Sequence, residues 1–261
     1  TLDGNSLSAL LADYVLSRYQ ATCVLESDHY IIKTLVTTEL VRRIADAYGV
    51  RTQGDVLVGF KWICGCMDDE GADQMLFATE ESHGFLVGQH VRDKDGIVAC
   101  LLMAELAAQV KAEGQTIHDR LERLYEQHGI HQERTLNLRM EGSQGMQRMT
   151  QLMAALRSHP PTHLGDLAVM NRRDYQQQVS IDNGGNQQSL PGPMADLIFL
   201  DLEIPGNHVA IRPSGTEPKI KIYLFMFMEP GSWTEISTGK EQLQERADQI
   251  ETTLRDFVAS T

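Results

Sequence analysis

The sequence has no apolar run long enough to cross a membrane. The longest, Ile97 to Ala104, falls far short of the roughly 20 residues a spanning helix needs, and Thr1 opens neither a basic nor an apolar leader-like segment. Positive charge is also scarce. Lys and Arg number 23 against 36 Asp and Glu, a formal charge of −13, which disfavours nucleic acid and anionic membranes unless a basic patch is concentrated somewhere, and the sequence has none. Cysteine is sparse: Cys23, Cys64, Cys66 and Cys100 lie in apolar or helical contexts without a framework spacing, as reduced thiols do in a cytosolic protein. Cys64-Gly65-Cys66 is C-x-C and not C-x-x-C, a weak basis for zinc or redox chemistry. The expectation is a soluble, cytoplasmic, unexported protein whose partners include neither nucleic acid nor membrane. Methionine is missing at position 1, and helical periodicity begins almost at once with Leu7, Leu10, Leu11, Tyr14 and Val15 behind a plausible Asn5 cap. That start reads as a chain entered partway through a larger protein.

What is present falls into two grammars. Up to about residue 130, strand and helix patterns alternate. A β-branched run over 30–38 is followed by a helix ending at Gly49, and a short strand near 55 leads into a helix beyond Phe60. A strand–turn–strand follows over 74–88. The segment from Asp95 to Gly114 is a helix apolar on most sides, which predicts burial against a sheet, and a further helix follows from Thr116. From His131 onward, strands joined by short connections dominate, with helices at each end and a Gly/Asn/Pro-rich loop over 180–193. The reading is α/β and α+β: an α/β/α layered mixed-sheet domain over 1–130, followed by a smaller α+β domain over 131–261 with a mainly antiparallel sheet.

Three loops carry residue types suited to chemistry. In the hairpin "RPSGTEPK", Arg212 offers a planar fork matching two phosphate oxygens. Ser214 and Thr216 add hydroxyls, Gly215 permits inward-pointing backbone N–H groups, and Lys219 adds charge. An ordinary solvent-exposed turn has the same composition. In "EESHGFLVGQHVRDKDG", Glu80 and Ser82 suit vicinal hydroxyls. Glu80 and Glu81 together make a poor acid/base pair for a hydrolase, because successive strand side chains point to opposite faces. His90, Arg92 and Lys94 alternate, so one face of an extended segment can present three donors to an anion, or else the segment is a solvated charged loop. In "VGFKWICG", Lys61 stands between Phe60 and Trp62, either desolvated toward acid/base work or resting its stem on the rings with its ammonium in water.

Taken in order and spacing, "GFKWI" at 59–63, "EESHG" at 80–84, "HVRDKDG" at 90–96 and "RPSGTEPKIKIY" at 212–223 resemble the third and fourth domains of the α-D-phosphohexomutases, most closely the phosphoglucomutase/phosphomannomutase branch. The resemblance covers essentially the whole chain. It implies an isomerase that interconverts hexose 1-phosphate and hexose 6-phosphate by intramolecular phosphotransfer, through a phosphoserine and a glucose 1,6-bisphosphate-type intermediate with Mg2+ assisting. It implies that Gly59, Phe60, Glu80 and Ser82 read the sugar and that Lys61, Lys94 and His90 supply acid/base or charge-stabilising groups. Arg212, Ser214, Gly215, Thr216 and Lys219 would hold the non-reacting phosphate.

The 261 residues contain neither a T-x-S-H-N-P-like phosphoserine loop nor a D-G-D-x-D-R-like metal loop. The expectation is therefore a C-terminal piece that binds a phosphorylated hexose, holds no metal through its own residues, has the missing N-terminal domains as its partner and is inactive alone. A stand-alone phosphosugar-binding module and a phosphopentomutase piece are the alternatives.

Overall fold

The computed structural model describes residues 1–23, 25–140, 144–214 and 217–260. They form two compact units. One spans Thr1–Gly129 with Glu229–Gly231, and the other runs from Ile130 to Met228 and resumes at Ser232. No helix among the described residues is long and apolar enough to cross a membrane.

The first unit comprises α1 (Gly4–Thr22), β1 (Tyr30–Thr34), α2 (Leu40–Ala47), β2 (Arg51–Val56), α3 (Phe60–Glu70), β3 (Met75–Glu80), β4 (Gly84–Leu86), α4 (Gly96–Ala112) and α5 (Ile117–His128). Its sheet runs β2-β1-β3-β4, with β1 parallel to both β2 and β3 and β4 returning antiparallel. Strand alternation divides the core between two layers. Tyr30, Ile32 and Ala78 pack with Phe60, Ile63 and Met67 of α3. On the opposite face Thr79 meets α1, its hydroxyl 2.6 Å from that of Ser8. This is the expected α/β/α layering with a mixed sheet.

Three local expectations are corrected. The α1 cap is Asp3, whose Oδ1 accepts from the Ser6 N–H at 2.7 Å, while Asn5 accepts from the Thr38 N–H instead. β1 ends at Thr34, because Lys33 is fully buried and draws the chain into a turn: its ammonium donates to the carbonyls of Thr34 and Thr37 and pairs with Glu39 at 2.6 Å. Helix α4 buries only Ala99, Leu106 and Val110 and leaves Ile97 and Leu101 85% and 58% exposed. Its neighbours are α1, α5 and the three-residue edge strand β4, too short to cover a helix of 17 residues.

The second unit comprises β5 (Ile130–Arg139), α6 (Gly145–Ser158), β6 (His163–Leu164), β7 (Leu167–Asp174), β8 (Val179–Asp182), β9 (Gln187–Ser189), β10 (Ile198–Leu202), β11 (His208–Pro213), β12 (Lys219–Met228) and α7 (Ile236–Ser260). Its sheet runs β5-β12-β11-β10-β7-β8-β9, antiparallel throughout, with β6 paired to β7. α6 packs on β11 and β12, and α7 on β5 and β12. The period of two sends Ile220, Ile222 and Leu224 to one face of β12 and Tyr223, Phe225 and Phe227 to the other. On the aromatic face, Tyr175, Phe199, His208 and Phe225 form a continuous row across three strands and the loop that follows β7. The α+β class with an antiparallel sheet is as expected.

Candidate functional site

In the first unit, the candidate residues gather where β2 and β3 end, at the C-terminal edge of the parallel strands, the usual position for ligand sites in α/β sheets. Glu80 closes β3 and pairs with Gly84, leaving a three-residue turn whose last residue, His83, has φ 62°. A left-handed third residue is what a three-residue hairpin loop requires. The carboxylate of Glu80 is turned inward, 2% exposed, and Oε1 accepts the Gly59 N–H at 2.5 Å. Gly59 is the residue before α3 and has φ 121°, outside the range favoured by residues with a Cβ. Glu80 thus anchors the start of α3 to the β3–β4 turn, and Glu81 lies in the turn rather than on the strand.

Phe60 completes this joint. It is buried, and a Cβ added at Gly84 would lie 2.6 Å from Cε2 of its ring and 2.9 Å from Oε2 of Glu80. Gly84→Ala is therefore expected to destabilise the first unit by about 1–3 kcal/mol through overpacking, measured by urea unfolding. A variant as stable as the unmodified chain would show that Phe60 does not pack against this turn. Lys61 and Trp62 point outward, the ammonium 4.8 Å from the indole centroid, and Ser82 is exposed at the tip.

The segment 88–95 is pinned to the same edge by the Asp95 N–H, which donates to the Phe85 carbonyl at 2.7 Å. Asp95 caps α4, accepting from Ile97 and Val98 at 2.9 and 3.0 Å. The Val98 N–H, followed by His90 and the Ile97 N–H, holds its carboxyl below the usual range despite some desolvation. This end of α4 is satisfied by its own carboxylate, so anion binding there falls to side chains. His90 is exposed with Nε2 3.4 Å from Asp95, and Lys94 is exposed. Arg92 turns onto α3, 3.3 Å from Asp68 and against the Met67 sulfur. His90, Arg92 and Lys94 therefore do not form one face of three donors.

In the second unit, the candidate residues lie at the tip of the β11–β12 hairpin. Arg212 is half-buried opposite Lys221, with Nε donating to the Tyr223 hydroxyl at 3.3 Å. The Ser214 N–H donates to the Lys219 carbonyl at 2.8 Å, which closes the tip. Gly215 and Thr216 lie outside the described residues. Lys219 pairs with Glu217 at 2.5 Å. Two cations to which the motif assigns no role join this tip: Lys221, two residues along the same strand face, and Arg139, which pairs with Lys219 across the β5–β12 ladder. The effect of the cluster is visible on Glu217. Lys219 by hydrogen bond and charge, then Arg139 and Lys221 by charge, hold its carboxyl below the usual range. The alternation Lys219-x-Lys221-x-Tyr223 was the available sequence signal for the first. Arg139 had none, because its proximity depends on register with a strand some eighty residues away.

Comparison with known proteins matches residues 3–128 to the model of phosphoglucomutase/phosphomannomutase, alpha/beta/alpha domain III. The chain is 34% identical over 227 residues to a phosphoglucomutase of Staphylococcus aureus and 32% identical over 223 residues to that of Staphylococcus haemolyticus. Each match covers 85% of this chain and 39% of the relative. Among solved structures, Paramecium parafusin (phosphoglucomutase) in its open form aligns with a TM-score of 0.57 at 18% identity, over 96% of this chain and 42% of that one. A phosphoglucomutase/phosphomannomutase family protein from Burkholderia thailandensis aligns with a TM-score of 0.53 at 17% identity, over 98% and 42%. The architecture, a mixed α/β/α unit followed by an antiparallel unit, is shared with these two structures. Residues 3–128 thus match a phosphoglucomutase/phosphomannomutase domain, and the chain spans about 39% of the length of the curated relatives it matches.

Proposed function

We propose that this chain supplies the recognition half of a hexose-phosphate mutase, an isomerase that moves a phosphoryl group between the 1 and 6 positions of a hexose. The observation that carries the reading is the cationic hairpin tip, where Lys219, Arg139 and Lys221 act on one internal carboxylate, Glu217, and Arg212 stands opposite Lys221. In a chain of formal charge −13, such a cluster suits a small dianion held at one defined point. Arg212 takes two oxygens of the non-reacting phosphate through its fork. The Ser214 hydroxyl donates to a third, and Gly215 and Thr216 are assigned to the same phosphate by the motif.

Sugar hydroxyls are read in the first unit. Glu80 keeps Gly59 and the start of α3 in place with one oxygen, and the turn presents Ser82 to hydroxyl groups. Lys61 and Lys94 supply positive charge near the phosphoryl group in flight, with Lys61 held out by Trp62, and His90 offers a ring nitrogen for hydrogen bonding there. Positioning and charge neutralisation are the main demands of phosphoryl transfer.

In this reading a phosphoserine donor and Mg2+ act on the ligand, with a hexose bisphosphate as intermediate. Among the described residues no group of three or more His, Cys, Asp or Glu side chains is placed to hold a metal ion. These residues therefore do not fit the ion, and no step on this chain runs through it. A coupled assay on the 261 residues alone is expected to show no turnover, because they carry no donor serine loop.

The test of recognition is an amide NMR titration with glucose 1-phosphate and glucose 6-phosphate. Saturable shifts at Ser82, His83, Arg212 and Ser214, absent with glucose itself, are expected. Silence of these residues at millimolar ligand overturns the reading.

A further inference from the structure

We propose that the second unit carries another ligand site, for a small oxyanion with a flat apolar body, centred on Arg172 between α6 and the β7–β8 hairpin. The sequence stretch is Asn171-Arg172-Arg173-Asp174, and strand alternation splits its charges between two faces. Arg173 goes to the aromatic face, 2.7 Å from Asp201 and over the Phe199 ring at 4.4 Å. Arg172 and Asp174 go to the α6 face. There Asp174 meets Arg157 at 3.0 Å, and the other end of that guanidinium reaches Asp196. Arg157 is therefore neutralised twice.

Arg172 is not neutralised. One of its terminal nitrogens donates to the backbone carbonyl of Arg157, in the last turn of α6. Its Nε is shielded from solvent and has no acceptor among the described residues. No carboxylate among them pairs with it, although Asp and Glu outnumber Lys and Arg in the sequence by 36 to 23. Asp182 lies close by but is committed to its own turn, accepting from the N–H groups of Gly184 and Asn186 at 2.9 Å each and from the Asn186 side chain. A partly buried guanidinium without an anion is a costly arrangement in a fold that neutralises its neighbours.

Shape identifies the rest of the ligand. Arg172 lines a concavity of about 580 Å³ whose walls include Pro160, Pro161, Val169 and Ile181. That volume suits a small molecule, and an apolar wall set beside a few polar groups is the usual make-up of such sites; of the charged groups lining it, Arg157 and Asp182 are committed to partners of their own and Arg172 is not. An oxyanion seated against the guanidinium supplies the counter-charge that the fold does not, while an aromatic or similarly flat body lies against the prolines. The site is distinct from the hairpin tip. Arg172 pairs with Leu200, Leu200 with Val209 and Val209 with Leu224, so it sits two to four strands across and several residues along from Pro213, roughly 15 Å or more away at ordinary strand spacings.

Phenyl phosphate is the probe, titrated into the full chain and followed by amide NMR. Saturable shifts at Thr162, Val169 and Gly185 are expected, persisting in Arg212→Ala and weakened at least tenfold in Arg172→Gln. Inorganic phosphate is expected to bind the same residues at least tenfold more weakly, and equal affinity overturns the apolar half of the assignment. Because Arg172 also holds the end of α6, a second variant guards against misfolding. Ile181→Glu sets a carboxylate at the position facing Arg172 in the ladder and is expected to abolish binding while keeping the fold. Unsaturable shifts in the unmodified chain, or undiminished affinity in whichever of the two variants folds, overturn the site.

Discussion

Replacing Arg212 with alanine is expected to weaken binding of glucose 6-phosphate and of inorganic phosphate by roughly 10- to 100-fold, a loss of about 1.5–3 kcal/mol typical of charge-assisted hydrogen bonds. The fold should survive. Arg212 is half-buried and makes one long hydrogen bond, 3.3 Å to the Tyr223 hydroxyl, with a guanidinium 5.9 Å from that ring, so its structural contribution is small. Lys219 is the informative contrast. Its ammonium lies 2.5 Å from Glu217 and is already offset, so Lys219→Ala should cost less affinity than Arg212→Ala although both delete one charge. Glu217→Gln should go the other way and tighten binding, by removing the internal anion that competes with the ligand. Calorimetry on the three variants separates these outcomes. Equal losses for Arg212→Ala and Lys219→Ala would mean that net charge alone draws the ligand, and unchanged binding by Arg212→Ala would remove the hairpin tip from the proposed function.

The parts of this fold legible in the sequence were those whose periodicity reports a single, simple environment. β12 alternates and β3–β4 brackets a turn, and the spacing of α7 puts Leu243, Ala247, Ile250, Leu254 and Phe257 on one face, all of them buried except Phe257, which is half-buried. Periodicity failed for α4, because a helix apolar on most sides signals burial only if something large enough covers it, and β4 offers three residues. It failed again at Lys33, where the β-branched run over 30–38 reads as one continuous strand although β1 ends at Thr34. The burial of Lys33 depends on Glu39 arriving from the far side of a turn. The candidate site divides in the same way. Glu80 and Arg212 stand in local motifs and were legible as residues suited to chemistry. The inward orientation of Glu80 and the contribution of Arg139 depend on tertiary register, which no local pattern encodes. Arg172 was invisible for a further reason. Its distinguishing property is a missing partner, and absence of a partner has no sequence signature.

Lys33→Ala is expected to be the most destabilising single change in the first unit, by about 3–5 kcal/mol, the range found when one member of a buried ion pair is removed. The ammonium is fully buried, and it satisfies the Thr34 and Thr37 carbonyls as well as Glu39, so truncation leaves two acceptors and a carboxylate short of a partner and opens a void. Arg42 still holds Glu39 at 2.8 Å, which keeps the loss from the upper extreme. Lys33→Met, which fills the space without the charge, should recover part of the stability and so separate void from charge. The same pair sets an acid limit. Burial pushes the Glu39 carboxyl up, but Lys33 and then Arg42 outweigh it and pull it down to about 2 from an ordinary value of 4.5. A carboxyl depressed on folding contributes stability that is complete above its unfolded value, so this contribution is full above about pH 4.5 and declines as pH falls toward 2. With the Glu39 side chain 37% exposed, solvent screening reduces the contribution to about 1–2 kcal/mol. Urea unfolding between pH 6 and pH 3 should therefore show a steeper acid loss in the unmodified chain than in Glu39→Gln. Parallel pH profiles would show that this pair does not govern the acid stability of the unit.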